Sequence, residues 1–186
     1  MTQKLKDALI GLNFLTVEFG IAVRPGQTIT AKGYDDVEFL ISTNPGESLK
    51  PLSQVASGGE LSRIMLAIKT VLAGRDEIDT LIFDEIDTGI SGRTAWKVAE
   101  QLSVLSGAHQ VICITHLPQI AAMADVHFVI EKSSTDDMTI TDIHKVSAEE
   151  SLAELARLLG SDALTEAALS NAKEMKEQAG MFKETR

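Results

Sequence analysis

The chain has little cysteine and no long apolar run. Cys113 is the one cysteine in 186 residues, so an internal disulfide is excluded. Its place in the apolar run at residues 111 to 114 predicts a buried, unreactive thiol. No stretch is long and apolar enough for a membrane span, and no apolar run of signal-peptide length follows the first residues. We therefore expect a cytoplasmic protein without a membrane partner.

Positive charge is also scarce. The chain carries 17 lysine and arginine residues against 27 aspartate and glutamate residues, a net charge of −10. Proteins that cover DNA rely on cationic side chains, which release counterions from the phosphates. The net charge is therefore unfavourable for a broad DNA-binding face, and we expect any DNA contact to be local or made elsewhere in the protein.

The first forty residues predict one helix and a small antiparallel sheet. Leu5, Ala8, Leu9 and Leu12 have helical spacing, and this helix ends at Asn13. Residues 14 to 23, 28 to 31 and 37 to 42 have the composition of strands, and Arg24-Pro25-Gly26 predicts a turn after the first of them.

From residue 57 onward, helical and strand patterns alternate. Helices are predicted around residues 61 to 72, ending near Gly74, and around residues 95 to 105, 118 to 124 and 147 to 159, with a polar helix last. Strands are predicted at residues 80 to 83, 111 to 115, 126 to 131 and 138 to 146. The strand at 111 to 115 is almost wholly apolar, which predicts burial on both faces. The predicted class is α/β, a mainly parallel sheet with flanking helices plus the small antiparallel part at the N-terminus.

Ser57-Gly58-Gly59-Glu60 stands at the start of a predicted core helix. Serine with glutamate three residues later is a capping box, so a simple helix start is one interpretation. Two glycines in a first helical turn, however, each cost about 0.5 to 1 kcal/mol relative to alanine. Their bare amides at the positive end of a helix dipole would suit the close approach of an anion. We therefore keep these four residues as candidate nucleotide contacts.

Asp84 and Glu85 directly follow the apolar strand at residues 80 to 83. Open α/β sheets bind ligands at the carboxyl ends of their strands. In a phosphoryl-transfer site the first acid would help to hold Mg²⁺ and the second would polarise the attacking water. The plainer interpretation is a polar strand exit. Asp87 lies in the following loop and is a weaker candidate, because loop acids are more often turn residues.

His116 ends the next predicted strand. Parallel neighbours would bring His116 and Glu85 to the same edge of the sheet, where an imidazole could donate to a γ-phosphate or orient a water molecule. A purely structural role is the alternative, since a single histidine usually has one. The four histidines show no metal-ligand spacing with Cys113.

One expected part of a nucleotide site is missing. The sequence contains neither G-x-x-x-x-G-K-[ST] nor G-x-G-x-x-G, the loops that hold phosphates. The chain therefore has the pattern of one part of a nucleotide-binding protein.

Together these motifs resemble the ATP-binding-cassette head domains, and more narrowly the SMC-like heads of a bacterial DNA-repair family. The resemblance is carried by residues 37 to 47, 55 to 63, 83 to 92 and 115 to 121. It implies that Ser57, Gly58, Gly59 and Glu60 form the signature motif, which contacts ATP held by the opposite head. It implies Walker B roles for Asp84 at magnesium and Glu85 in catalysis, a D-loop position for Asp87 and a switch role for His116. Ala56 departs from the leucine usual at the first signature position.

The resemblance also implies an architecture. Residues 1 to 13 would end a coiled-coil arm, and residues 14 to 186 would form the C-terminal lobe of the head. The partners would be the N-terminal lobe of the same protein, which carries the phosphate loop, a second head in a homodimer, and DNA through the full-length, nucleoid-associated protein. ATP and Mg²⁺ would bind only the complete head, so the isolated chain would be inactive.

Two other functions are open at this point. The chain could be a non-enzymatic lobe whose Ser57 helix and last polar helix dock a partner. It could also be the nucleotide-binding subunit of an ABC transporter, which would need a coupling surface for a membrane partner.

Overall fold

The computed structural model describes residues 1–14, 16–31, 33–55, 57–72, 77–135, 138–160 and 164–185. The chain divides into two compact units, Met1–Ile114 and Thr115–Arg186. The predicted division between an arm helix and a lobe, at residues 13 and 14, stays a prediction.

The first unit opens with helix α1, Thr2–Gly11. Its predicted apolar face is confirmed, because Leu5 and Leu9 are both 0% exposed. The helix ends as predicted near Asn13, whose φ of 73° lies in the left-handed region that asparagine tolerates better than most residues.

A small antiparallel sheet follows α1, in the strand order β1-β2-β3. Strand β1 spans Glu18–Thr30, β2 spans Gly33–Ser42 and β3 spans Lys50–Pro51. The predicted turn at residues 24 to 26 is wrong, since β1 runs through it and pairs with β2 on both sides. The register shifts between Pro25 and Thr30, and such an irregularity accommodates a proline within a strand. A Cβ on Gly26 would collide with the carbonyl oxygen of Tyr34, so glycine there permits close backbone approach.

Helices and strands then alternate as predicted. Helix α2 spans Gly58–Leu72, β4 Thr80–Phe83, α3 Gly92–Leu105 and β5 Gln110–Cys113. Strands β4 and β5 are parallel, with Phe83 opposite Cys113. The predicted end of α2 near Gly74 lies outside the described residues. The α/β class is confirmed, and among the described strands the parallel pairing is that of β4 with β5.

The predicted burial of the second parallel strand on both faces is wrong. Leu81 and Phe83 are only 8% and 5% exposed, whereas Ile82 on the other face of β4 is 67% exposed. Ile112 and Ile114 are 45% and 47% exposed. Within the described parts of the chain, the sheet that contains these strands has only two of them, and one of its faces is largely uncovered.

In the ranges that the structure describes, the second unit contains three helices and a hairpin. Helices α4, α5 and α6 span Pro118–Met123, Ala148–Leu158 and Glu166–Glu184. Strands β6, Phe128–Thr135, and β7, Met138–Lys145, pair antiparallel as predicted. The helices pack on one another around Leu155, Ala156, Ala172 and Ala179. Over the ranges that the structure describes, no helix combines the length and the apolar character required to cross a bilayer.

The capping box at the start of α5 is confirmed. The Ser147 hydroxyl accepts from the Glu150 amide at 3.2 Å, and the Glu150 carboxylate accepts from the Ser147 amide at 2.7 Å. The bond from the Ser147 backbone amide, followed by the interaction of its carboxylate with the Ser147 side chain, lowers the pKa of Glu150. Because the ionised form is favoured in the folded state, the contribution of Glu150 is present above its ordinary pKa of 4.5 and is lost as the pH falls through the folded value.

We predict that Ser147→Ala lowers the free energy of unfolding by about 1 kcal/mol, because an amide of the first turn loses its acceptor. Urea denaturation at pH 7 measures the change. Ser170→Ala is the matched control, since Ser170 lies exposed within α6 and alanine favours a helix interior. Equal stability of Ser147→Ala and the parent chain would show that the cap contributes nothing.

Candidate functional site

The two parallel strands end at the same edge of their sheet. The Ile114 amide donates to the Phe83 carbonyl at 3.0 Å, which continues the pairing to the last residue of β4. Asp84 and Glu85 follow directly, and both side chains are exposed. The predicted carboxylates therefore stand at the carboxyl end of a parallel pair, the usual place for a ligand in an open α/β sheet.

Asp84 is held by contacts on two sides. Its Oδ1 accepts from the Glu85 amide at 2.8 Å, and its carbonyl accepts from the Ser62 hydroxyl of α2 at 2.9 Å. Ser62 was not a sequence candidate, because a serine on a helix surface gives no sign of a distant acceptor.

Glu85 adopts an unusual backbone conformation, with φ of 57°. For a residue with a Cβ the left-handed region costs about 1 to 2 kcal/mol. Two hydrogen bonds stabilise it here, one from its own amide to Asp84 and one from the Thr88 amide to its carbonyl at 3.0 Å. The chain thus turns sharply at Glu85, directly after the strand.

The first turn of α2 lies against this turn. A Cβ on Gly58 would lie 2.5 Å from Glu85 Oε2, and a Cβ on Gly59 would lie 2.9 Å from the Glu85 carbonyl oxygen. The same atom on Gly59 would also lie 2.9 Å from Thr88 Cβ and 3.0 Å from the Thr88 carbonyl oxygen. The bare backbone of the glycines therefore has a packing reason, and their approach to an anion stays a prediction. Packing against the loop after β4 requires at least Gly59.

Ser57 and Glu60 complete the predicted motif. The Ser57 hydroxyl accepts from the Glu60 amide at 3.5 Å, which is long compared with the usual 2.9 to 3.0 Å or so. Both residues are half-buried. The structure therefore confirms a helix start at the motif, with a weak serine cap. Ala56 lies outside the described residues.

Asp87 is only 4% exposed. It lies in the turn after β4, where its carbonyl accepts from the Ile90 amide at 3.4 Å, so the interpretation as a turn residue holds and a contact with nucleotide stays a prediction. Its charge acts on Cys113, whose pKa rises to about 12 through burial first and then through Asp87 and Asp84. Cys113 is half-buried, not fully buried as predicted, but its thiol stays protonated at neutral pH.

Arg63 is the main residue that the sequence interpretation missed. It is 7% exposed, and its Nη1 donates to the carbonyls of Ile86 at 3.2 Å and Thr88 at 2.9 Å. Its guanidinium lies 5.7 Å from the centre of the Phe14 ring. Burial lowers its pKa, against the opposing charge of Glu60. The available signal was a cation inside the apolar stripe of α2, immediately before Ile64.

His116 belongs to the second unit, whereas Asp84 and Glu85 belong to the first. It is exposed, between Thr115 and Leu117, and the Leu117 amide donates to the Thr115 hydroxyl at 3.0 Å. Its predicted approach to Glu85 stays a prediction.

The exposed acids suit a metal that arrives with a nucleotide. Among the described residues, no group of three or more histidine, cysteine or acidic side chains could hold a metal ion. Mg²⁺ at nucleotide sites, however, takes one or two carboxylates together with phosphate oxygens and water. Asp84, exposed at the strand end, fits that donor set.

Comparison with known proteins identifies close relatives over most of the chain. The protein named DNA repair protein RecN from Halalkalibacterium halodurans is 48% identical over 181 residues, which is 97% of this chain and 32% of the relative. RecN from Bacillus subtilis is 49% identical over 84% of this chain and 27% of its own length. RecN from Treponema pallidum is 54% identical over 77% of this chain and 25% of its own length. The chain thus spans about a third or less of these relatives, and no protein-family model matches it. The resemblance to a DNA-repair protein is confirmed.

Solved structures confirm the fold. The Smc head domain with a coiled coil and joint from Pyrococcus yayanosii superposes with a TM-score of 0.57 at 20% identity, over 84% of this chain and 28% of that one. An Smc head bound to the C-winged helix domain of ScpA gives a TM-score of 0.52 at 21% identity, over 82% of this chain and 44% of that one. The chain therefore has the fold of part of an SMC-type head.

We predict that Gly59→Ala destabilises the chain by about 1 to 3 kcal/mol, because the new methyl group meets the backbone carbonyls of Glu85 and Thr88. Gly58→Ala is the matched control. Its methyl group meets only the flexible end of Glu85, and alanine favours a helix. Urea denaturation compares the two, and equal effects would contradict the contact with the loop.

We also predict that Cys113 alkylates slowly with iodoacetamide at pH 8. With a pKa of about 12, roughly one thiol in 10⁴ is ionised at that pH. While the chain stays folded, the rate should rise about tenfold per pH unit, and unfolding in urea should release fast labelling. Fast labelling of the folded chain would contradict the raised pKa.

Proposed function

We propose that this chain is the C-terminal lobe of an SMC-like ATPase head and that it acts, within a longer protein, in recombinational repair of DNA double-strand breaks. The observation that carries the proposal is the contact of Gly58 and Gly59 with the loop that bears Asp84 and Glu85. The chain that contains this contact has close RecN relatives and the fold of part of an Smc head. This similarity favours repair over a transporter subunit.

Glu85 is the proposed base. Its carboxylate is exposed at the carboxyl end of β4, and the turn at Glu85 fixes its backbone. From there it would accept the proton of the water that attacks the γ-phosphate. Asp84 would ligate Mg²⁺, which would supply positive charge to neutralise the phosphates of ATP.

Ser57, Gly58, Gly59 and Glu60 would act on a second nucleotide. The first turn of α2 would present its amides and the positive end of its dipole to ATP held by the opposite head. Asp87, in the D-loop, would shape the same interface, and His116 would contact the γ-phosphate as the switch histidine. One lobe would then serve two nucleotides, and hydrolysis would require a dimer of heads.

The remaining parts lie outside this chain. The N-terminal lobe would supply the phosphate-binding loop, and α1 would end a coiled-coil arm between the lobes. Because this chain carries a net charge of −10, DNA would be bound mainly by other parts of the protein in the nucleoid.

We predict that Glu85→Gln in the full-length protein lowers kcat for ATP hydrolysis by about 100-fold or more, because a general base contributes about 10² to 10⁴. ATP binding should persist, since the amide keeps the size of the side chain. A phosphate-release assay and nucleotide titration measure both. Glu149→Gln, in the exposed first turn of α5, is the control.

Hydrolysis by Glu85→Gln at the wild-type rate would refute the role of Glu85. For the chain by itself we expect negligible ATP affinity, because it contains no phosphate-binding loop. A micromolar dissociation constant by calorimetry would contradict that expectation.

A further inference from the structure

Arg63 connects α2 to the loop after β4. Its Nη1 reaches two backbone carbonyls of that loop, Ile86 at 3.2 Å and Thr88 at 2.9 Å. Both acceptors are neutral and lie two residues apart, so one guanidinium nitrogen holds both sides of a tight turn. Hydrogen bonds from a charged donor are stronger than those between neutral groups.

Arg63 is a buried residue and not a surface residue that touches the loop by chance. The residue is only 7% exposed, and its Nε, also buried, has no hydrogen-bond partner among the described residues. Burial of a guanidinium with one nitrogen unsatisfied opposes folding. The hydrogen bonds to the loop and the Phe14 ring beneath the cation offset that cost. A buried apolar residue would stabilise the core of α2 more simply, so stability alone does not explain an arginine here.

Gly59 and Arg63 touch the same loop from the same helix face. They are four residues apart on α2, the spacing that places two residues one above the other. Gly59 lies against the carbonyls of Glu85 and Thr88, and Arg63 binds those of Ile86 and Thr88. The loop therefore packs against α2 at Gly59 and is hydrogen-bonded to it by Arg63.

The conformation that these contacts hold is that of Glu85. Its φ of 57° is unfavourable for glutamate, and left-handed conformations persist only where the surroundings determine them. Releasing the carbonyls of Ile86 and Thr88 would free the residues that close the turn. Glu85 could then relax and its carboxylate would leave the strand end.

We propose that Arg63 is a positioning residue for hydrolysis, which holds the loop after β4 so that the Glu85 carboxylate stays beside Gly58 at the end of the strand. The inference rests on the proposed function and adds a residue to it. Arg63 acts through backbone carbonyls and not on the nucleotide. Its loss therefore changes the hydrolytic step and leaves ATP affinity unchanged.

The test uses the full-length protein with Arg63→Met, which keeps an apolar stem over Phe14 but removes the donor of both hydrogen bonds. We expect kcat for ATP to fall roughly 10- to 100-fold, as for a small misplacement of a catalytic group, while KM stays within about twofold. Arg63→Lys should also lower kcat, because its shorter ammonium does not reproduce the reach of the guanidinium.

Arg24→Met is the matched control, since Arg24 is an exposed arginine of the same unit paired with Glu38 at 3.3 Å. Rates are normalised to the folded fraction from urea denaturation, which separates positioning from loss of structure. If Arg63→Met fails to fold, Arg63→Lys carries the test.

The outcomes separate this inference from the proposed function. An active wild type with a folded Arg63 variant of normal kcat overturns the inference alone. A fall in rate that disappears on normalisation, or a rise in KM at constant kcat, overturns it too. A full-length wild type without ATP hydrolysis overturns the proposed function and this inference with it.

Discussion

The close packing of the first turn of α2 against the loop after β4 is the contact on which the candidate site depends. Gly59 has no side chain because the carbonyls of Glu85 and Thr88 occupy that space. Arg63, one turn further along the helix, donates hydrogen bonds to the same loop. In the proposed head, the first turn of α2 would meet ATP of the opposite subunit, and Glu85 would act on ATP of its own subunit. Their direct contact would make each sensitive to the position of the other.

Local patterns predicted most elements of this fold because their causes are local. Helical spacing identified α1, α2 and α3, and the Ser147 capping box identified the start of α5. The turn predicted at Arg24-Pro25-Gly26 was wrong, because β2 pairs with β1 on both sides of these residues and keeps them in the strand. The residues of the candidate site also differ in whether their roles depend on local or distant sequence. Asp84 and Glu85 follow an apolar strand visibly, whereas the roles of Arg63 and Ser62 depend on a loop more than twenty residues away.

The uncovered face of the parallel pair leaves apolar side chains in contact with water. Parallel strands are normally covered on both faces, yet Ile82 is 67% exposed and Ile112 45% exposed. Burying such side chains stabilises by about 25 cal/mol for each Å² removed from water. In the proposed head the N-terminal lobe would extend this sheet and add its own helices. The strand pattern predicted burial on both faces, which is what a complete sheet would give.

Glu85 shows why an outlier in the backbone deserves a functional explanation. A polar strand exit could be built from any residue in an ordinary conformation, and glycine or asparagine would adopt φ of 57° at lower cost. Glutamate stands there instead, and the Asp84 carboxylate, the Thr88 amide and Arg63 all act on the turn that holds it. Several contacts converge on one unfavourable backbone conformation, and such convergence is the observation that supports a functional role for the turn. The exposure of the Glu85 carboxylate at the strand end, beside the first turn of α2, agrees with the proposed role as a base.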